Sequence, residues 1–350
     1  MLLAGEAGVG KSRLIREFRN GLESDSVEWL LGRSISFGSQ IAYLPIVDPY
    51  HFETQPTTIP QFATDLTWGT EFQLVNNTET TMTGIVRFYN NGPNEGDPTQ
   101  SSKPIELALD RGNFTEVPYN LPPRSTDSFA TSGTADTISG YARIIPDAGT
   151  FTPVGYAVLT YLSGAIVSLH ATVEAQVPAN DFRLYDELSG DFNHGEGHAT
   201  AMAFAITNPA DTPTDITLTL VKMDGSPTGL TTTFTLPPQG HIATYLHMMD
   251  AFKNMPNPFQ GLLLVHASGS GVVLFGMRGR VSESAQFVGT TTGPLKEHPG
   301  KGTTVIFPHI LDGGGYATQL LLFGDPNGSG SAGVLGFANE NGNPIPLTIE

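Results

Sequence analysis

The sequence predicts a mainly β protein, in which tandem antiparallel β-sandwich domains follow a short α/β segment. Apolar residues alternate along short segments, and Gly, Pro, Asn or Asp residues bound those segments. A strand–turn–strand unit also occurs three times, at 70–92, 200–225 and 318–342. With 40 glycines, 26 prolines and 15% charged residues among 350, the composition is typical of a turn-rich β chain.

The second copy shows the features of the unit most clearly. Met202, Phe204 and Ile206 alternate with other residues, as in a strand that buries one face. Asn208-Pro209 ends this strand, because proline cannot donate to a strand ladder. Asp224-Gly225 ends the next strand, since both residue types tolerate the positive φ of a tight turn.

The N-terminal segment contains a phosphate-binding pattern. Gly5, Gly8, Gly10, Lys11 and Ser12 fit G-x-x-x-x-G-K-[ST] in full. In this pattern, glycines let backbone N–H groups surround a phosphate, the lysine reaches the β- and γ-phosphates, and the serine hydroxyl ligates Mg²⁺. These five residues are the predicted nucleotide-binding residues, and Ser12 is the predicted Mg²⁺ ligand if ATP binds.

The segment LLAGEAGVGKSRLIREF, followed at 29–48 by WLLGRSISFGSQIAYLPIVD, resembles the start of AAA- or STAND-type NTPase domains of bacterial signalling regulators. The resemblance covers about 1–48 and implies ATP and Mg²⁺ binding. However, about 48 residues cannot close a P-loop sheet, which needs several covered parallel strands. No strand ending in a water-organising carboxylate follows. We therefore expect a truncated fragment with no catalytic residue and no resident cofactor, and ATP with Mg²⁺ is the alternative.

The rest of the chain carries a second resemblance. Thr207-Asn208-Pro209, the turn at 224–227, Leu236-Pro237-Pro238 and the segment 275–278 resemble tandem β-sandwich modules of large bacterial secreted or surface proteins. This resemblance covers about 59–350 and implies Ig-like or fibronectin-like domains without a known active site. The predicted organisation is a P-loop fragment at 1–50, a linker at 51–58, β-sandwiches at 59–185 and 186–300, and a truncated third sandwich at 301–350.

Charge and composition exclude several classes of function. A net charge of −17 argues against nucleic-acid binding, which requires clustered Lys and Arg. The absence of cysteine excludes disulfides and thiolate metal sites. The most apolar run, 156–171, is too short and too polar to span a bilayer. The partners compatible with this chain are therefore a protein or a surface glycan.

Three further segments have an interpretation from the sequence. The loop 194–198 holds two histidines and a glutamate, but its glycines oppose a helical metal motif, which favours a solvated loop. Asp181, Asp186, Glu187 and Asp191 are interpreted as solvated charges between two domains. The segment 242–252 is predicted to form a short helix, with His241 at the surface.

Three functions are compatible with these observations. The leading hypothesis is a non-catalytic structural or interaction protein, in which β-sandwich repeats act as spacers or adhesive surfaces. The second is an ATP-binding regulator whose repeats sense a partner. The third is a fused reading frame, since residues 1–50 carry five basic and six acidic residues while the acidity lies in the remainder. An authentic N-terminus would place the protein in the cytoplasm, whereas repeats of this kind are exported.

Overall fold

The computed structural model describes residues 53–91, 99, 101–164, 166–296, 307, 310, 318–324, 332–339 and 342–346. Chain contacts divide it into two units, 32–297 and a second unit formed by 1–31 with 298–350. The described residues form nineteen strands and two 3₁₀ turns, with no α-helix. The prediction of a mainly β protein with antiparallel sheets is therefore confirmed.

The larger unit begins with ten strands. They are β1 (Thr57–Thr64), β2 (Trp68–Val75), β3 (Met82–Asn90), β4 (Leu107–Leu109), β5 (Gly112–Phe114), β6 (Glu116–Leu121), β7 (Thr126–Ala130), β8 (Ile138–Pro146), β9 (Val154–Ser163) and β10 (Ile166–Glu174).

These strands form two main layers around one apolar cluster. One layer has the strand order β1-β8-β3-β6, and the other has the order β10-β9-β2-β7. Four phenylalanines from both layers meet in the cluster, where the Phe72 ring lies 5.9 Å from Phe62 and 5.3 Å from Phe88. The Phe129 ring stacks on Phe72 at 5.4 Å. Aromatic pairs at these distances add to the free energy of burial, which makes this cluster the centre of the first half.

Nine more strands and two single 3₁₀ turns follow. They are β11 (Asp181–Ser189), a turn at Phe192–His194, β12 (Thr200–Thr207), β13 (Thr214–Lys222), β14 (Pro227–Leu236), β15 (His241–Tyr245), a turn at Leu246–Met248, β16 (Phe259–Ala267), β17 (Val273–Val281), β18 (Phe287–Thr291) and β19 (Leu295–Lys296).

Strand pairing in the second half follows the order of the first half. β11, β16, β13 and β14 neighbour each other in the order of β1, β8, β3 and β6. In the same way, β18-β17-β12-β15 corresponds to β10-β9-β2-β7. A second apolar cluster, which includes Phe182, Phe204, Leu218 and Leu263, lies between these layers.

The two halves share a continuous sheet. β10 pairs in parallel with β18, so that strands of both halves join in one thirteen-stranded sheet. Phe204 and Leu274 bury their side chains in the second cluster, whereas Ala205 and Phe275, on the opposite face of the same strands, belong to the first. Covering both faces explains why β12 and the first half of β17, up to Phe275, are rich in buried apolar residues.

A buried asparagine follows both β2 and β12. The Asn208 side chain donates from Nδ2 to the carbonyl oxygens of Thr212 (2.8 Å), Leu236 (3.3 Å) and Pro237 (2.9 Å). Asn76 donates in the same way to the corresponding oxygens, those of the fourth residue after it and of the Leu-Pro pair that ends β6. Each asparagine thereby ties a turn to the neighbouring edge strand, and we call this arrangement the asparagine clamp.

The local predictions had mixed outcomes. Met202, Phe204 and Ile206 are buried, and Gly225 takes φ +80° in the turn after β13, both as predicted. The helix predicted at 242–252 is wrong: its first residues lie in β15, which pairs with β12, and only a 3₁₀ turn follows. Strand pairing here outweighs the local helical spacing.

The domain boundary predicted after residue 185 falls inside β11, which pairs with β16 in the second half. In the smaller unit, the Ile345 N–H donates to the Phe337 carbonyl at 3.1 Å, and Gly342 takes φ +78°. The predicted P-loop fragment lies outside the described residues.

Candidate functional site

The predicted nucleotide site cannot be located in this structure. Gly5, Gly8, Gly10, Lys11 and Ser12 all lie outside the described residues. Binding of ATP and Mg²⁺ therefore stays a prediction from the motif.

Two adjacent buried carboxylates lie on β11. This strand buries Phe182, Leu184 and Leu188 in the second apolar cluster. Side chains alternate along a strand, so Asp186 shares the face of these apolar residues, and Glu187 lies on the other face. The alternation thus places two adjacent carboxylates on opposite faces of one strand.

Glu187 is held by two donors. Its Oε1 accepts a hydrogen bond from Arg278 Nε at 2.6 Å, and its Oε2 accepts one from the Tyr185 hydroxyl at 2.9 Å. Burial and the bond to Glu187 raise the pKa of Tyr185 well above its usual value. Because both carboxylate oxygens are satisfied, this group is a partly buried, charge-balanced network.

Asp186 has no such support. It is 2% exposed, and its Oδ2 has no hydrogen-bond partner. Burial, with a smaller contribution from the nearby Glu187 charge, raises the pKa of Asp186 to about 7. In the first half the corresponding residue is Phe62, which faces Gly140 as Asp186 faces Gly261. An acid therefore occupies an aromatic core position.

The interpretation of the four acidic residues as solvated charges is wrong for Asp186 and Glu187, which are both buried. It holds for the other two: Asp181 lies 2.7 Å from the exposed His266 imidazole, and Asp191 lies on an exposed loop. The alternation of Phe182, Leu184 and Leu188 was the sequence signal that could have placed Asp186 inside the core.

A shallow groove of about 470 Å³ lies beside this network. Its lining includes Glu187, Ser189, Thr200, Gln260 and Arg278, but not Asp186. The carboxylate that reaches the groove is therefore already neutralised by Arg278. General acid–base chemistry needs a titratable group within reach of the substrate, and the buried acid does not offer one here.

The two histidines of the loop 194–198 each lie against a different carboxylate. His194 Nδ1 lies 2.7 Å from Asp191, whose Oδ1 also accepts the backbone N–H of His194. His198 Nδ1 lies 3.2 Å from Glu283, which also pairs with Arg280 at 2.6 Å. Both imidazoles are exposed, and within the described part of the chain no group of three His, Asp or Glu side chains is placed to hold a metal.

The expectation that His241 lies at the surface is wrong. It is 1% exposed, and its ring packs edge-on against Tyr141 from the first half at 5.7 Å. Tyr141 stacks on Tyr89 at 4.7 Å and donates its hydroxyl proton to the Gln239 carbonyl at 3.0 Å. Burial lowers the pKa of His241 to about 3, so the imidazole is neutral. This contact connects the two halves and could not be found from spacing along the chain.

Comparisons with protein-family models, with curated proteins and with solved structures find no match. Among the described residues, no helix has the length and hydrophobicity needed to cross a bilayer.

Proposed function

We propose that this chain is a non-catalytic structural or interaction protein, built of tandem Ig-like or fibronectin-like β-sandwich units. The observation that carries this proposal is the asparagine clamp, which occurs with the same hydrogen bonds in both halves. The two halves share the strand order, the turns and the asparagine clamp, and these are structural features of a scaffold.

The polar groups that differ between the halves support the same conclusion. Asp186 has Phe62 as its counterpart, so the buried acid is not a repeated feature of the unit. Both carboxylate oxygens of Glu187 already accept hydrogen bonds, one from Arg278 and one from Tyr185. A catalytic site normally offers an unsatisfied group to its substrate, and these groups are satisfied or out of reach.

The joint between the halves supports a role as a rigid spacer. Inter-domain contacts usually permit relative motion unless the interface is large and apolar. Here β10 and β18 continue one sheet, Ala205 and Phe275 belong to the apolar cluster of the other half, and Tyr141 donates a hydrogen bond across the joint. The two halves should therefore hold a single relative orientation.

The absence of cysteine makes this rigidity straightforward to measure. Exposed positions on each half, Asn120 and Lys222, can be changed to cysteine and spin-labelled in the full chain. Pulsed electron paramagnetic resonance on spin-diluted samples should give one narrow distance distribution. A broad or bimodal distribution would refute the rigid spacer. Turnover of any member of a broad hydrolase substrate panel by the full chain would refute the non-catalytic function.

The complete phosphate-loop motif supports a second proposal, an ATP-binding regulator that uses the β units to sense a partner. Lys11 and Ser12 would contact the phosphates and Mg²⁺. Equilibrium binding of ATP with Mg²⁺ by the full chain should be in the micromolar range and should be lost in Lys11→Ala. Wild-type protein that does not bind ATP would exclude this function.

A further inference from the structure

Two strands occupy corresponding edges of the two halves. β6 ends the four-stranded sheet and pairs with β3, and β14 ends the thirteen-stranded sheet and pairs with β13. Within the described residues, neither strand has a partner on its outer side. An edge strand presents unpaired N–H and C=O groups, so the way that each edge is protected can be compared directly.

The first edge carries features that block strand addition. β6 has six residues and contains Pro118, which has no N–H to offer to a partner strand. It begins with Glu116, a charge that pairs with Arg87 at 2.6 Å. A short strand, a proline and a charge are the usual means of preventing edge-to-edge association.

The second edge is less protected, because only its start is irregular: Gly229 takes φ +82°, and the register with β13 shifts between Thr219 and Val221, whereas Thr231–Leu236 pair without interruption. β14 has ten residues, PTGLTTTFTL, with no charged side chain and with proline only at its first position. The outward-facing Thr231 and Thr233 pair their hydroxyls with Thr219 and Thr217 of β13, each at 3.1 Å. Thr231–Leu236 is therefore an uncharged edge made of residues that favour strands, which is the kind of edge that accepts an additional strand.

We propose that β14 pairs antiparallel with β14 of a second copy of this chain. The inference names a partner for the interaction function proposed above and rests on it. Two copies that each carry a net charge of −17 repel one another over most of their surfaces, and β14 is a ten-residue segment without charge. Electrostatic repulsion therefore disfavours other contacts more than this one.

The sequence of the strand is also suited to pairing with itself. A two-fold axis through Thr232 sets Thr231 of one protomer opposite Thr233 of its partner, which is the isologous contact that a closed dimer requires. Cross-strand threonine pairs are favourable, and the same pairing already joins β14 to β13. The molecule also joins its own halves by pairing corresponding outer strands, β10 with β18.

The test is the mass of the full chain in solution. Analytical ultracentrifugation at 10–200 µM, concentrations of the order at which weak edge pairing is detected, should show a species of about twice the 37.3 kDa of one chain. Thr231→Lys with Thr233→Lys sets like charges opposite one another and should give monomers. Thr231→Lys with Thr233→Glu sets opposite charges together and should restore the dimer. The matched control on the other edge, Asn120→Lys, should leave the mass of the wild-type dimer unchanged.

Amide hydrogen exchange gives a second readout, because the outward N–H groups of β14 should become protected as the protein concentration rises. A wild-type chain that remains monomeric would overturn the proposal and would leave the edge to an extended segment of another protein. A dimer that persists in the double-lysine variant, or a charge-paired variant that stays monomeric, would also overturn it. These outcomes do not depend on the spin-label distances, so failure of the dimer and failure of the rigid scaffold can be distinguished.

Discussion

The asparagine clamp gives the sharpest prediction about stability. Asn208 is 0% exposed, and its Nδ2 group donates to three carbonyl oxygens, those of Thr212, Leu236 and Pro237. Its Oδ1 accepts the backbone N–H of Ala210 at 3.1 Å. Replacing Asn208 with alanine removes all of these hydrogen bonds, although the Pro237 carbonyl still accepts the Gly240 N–H at 2.9 Å.

The expected cost follows from those bonds. The amide has two protons for its three acceptors, so about 1 kcal/mol for each proton and for the accepted bond gives a loss of about 3 kcal/mol for Asn208→Ala. For a cooperative unit of this size, the melting temperature should fall by about 6–12 °C. Asn76→Ala should cost about as much, since Asn76 makes the same three Nδ2 contacts.

Asn208→Asp distinguishes the loss of the hydrogen-bond donor from the loss of side-chain volume. The new carboxylate keeps the shape of the side chain but turns an acceptor toward three carbonyl oxygens, so at pH 7 it should destabilise more than alanine does. Its folded-state pKa is raised by burial and by these dipoles. The folded state then binds a proton more tightly than the unfolded state, and the variant should lose stability as pH rises through and above about 4.

Urea unfolding of the full chain, followed by fluorescence and far-ultraviolet circular dichroism at several pH values, measures these effects. The control is Asn257→Ala, because Asn257 makes one exposed hydrogen bond, to the Gly190 carbonyl. A loss below about 0.5 kcal/mol for Asn208→Ala, within the range of ordinary surface substitutions, would refute the role of the clamp. Equal, pH-independent losses for the alanine and aspartate variants would do the same.

Three further predictions concern ionisable side chains: Asp186, His241 and the Arg278–Glu187 pair. The pKa of Asp186 is raised to about 7, so the wild type should lose up to about 4 kcal/mol as pH rises from about 4 to 7, and urea titrations of Asp186→Asn should lack this slope. The pKa of His241 is lowered to about 3, so the contribution of its neutral form to stability is lost as pH falls from 6.5 toward 3. His241→Phe should abolish this loss of stability in acid, measured by thermal melts. An unchanged decrease of the melting temperature in acid would contradict the assignment. Arg278→Met leaves Glu187 partly buried without its cation and should lower the free energy of unfolding by about 3 kcal/mol. Glu187→Gln with Arg278 intact should lower it by less. A double-mutant cycle that shows no coupling between the two positions would exclude the pair.

The sequence contained enough information to predict the strands. Alternation at Met202, Phe204 and Ile206 and the turn at Asp224-Gly225 are local features, and the structure confirms the strand and the turn. The prediction that β12 buries only one face is wrong, because Ala205 on its other face packs in the first cluster. The register between copies was harder to predict. Thr200 was matched with Thr70, but Asn208 lies eight residues after Thr200, while Asn76 lies six after Thr70.

Contacts between distant segments account for the remaining errors. His241 is buried because Tyr141, one hundred residues earlier, packs against it. Asp186 and Glu187 are buried by strands that come later in the chain, so an acidic run in the sequence was interpreted as solvated. The groove beside Arg278 likewise depends on strand pairing, which a single sequence does not specify.

The dual coverage of β12 and β17 constrains how such a protein can change over time. An independently folded domain can be deleted or duplicated without harm to its neighbours, because its outer surface is already suited to water. Here Ala205 and Phe275 would be stranded in solvent if the first half were removed. Gain or loss of segments by recombination should therefore involve the two halves together, as a single inherited block.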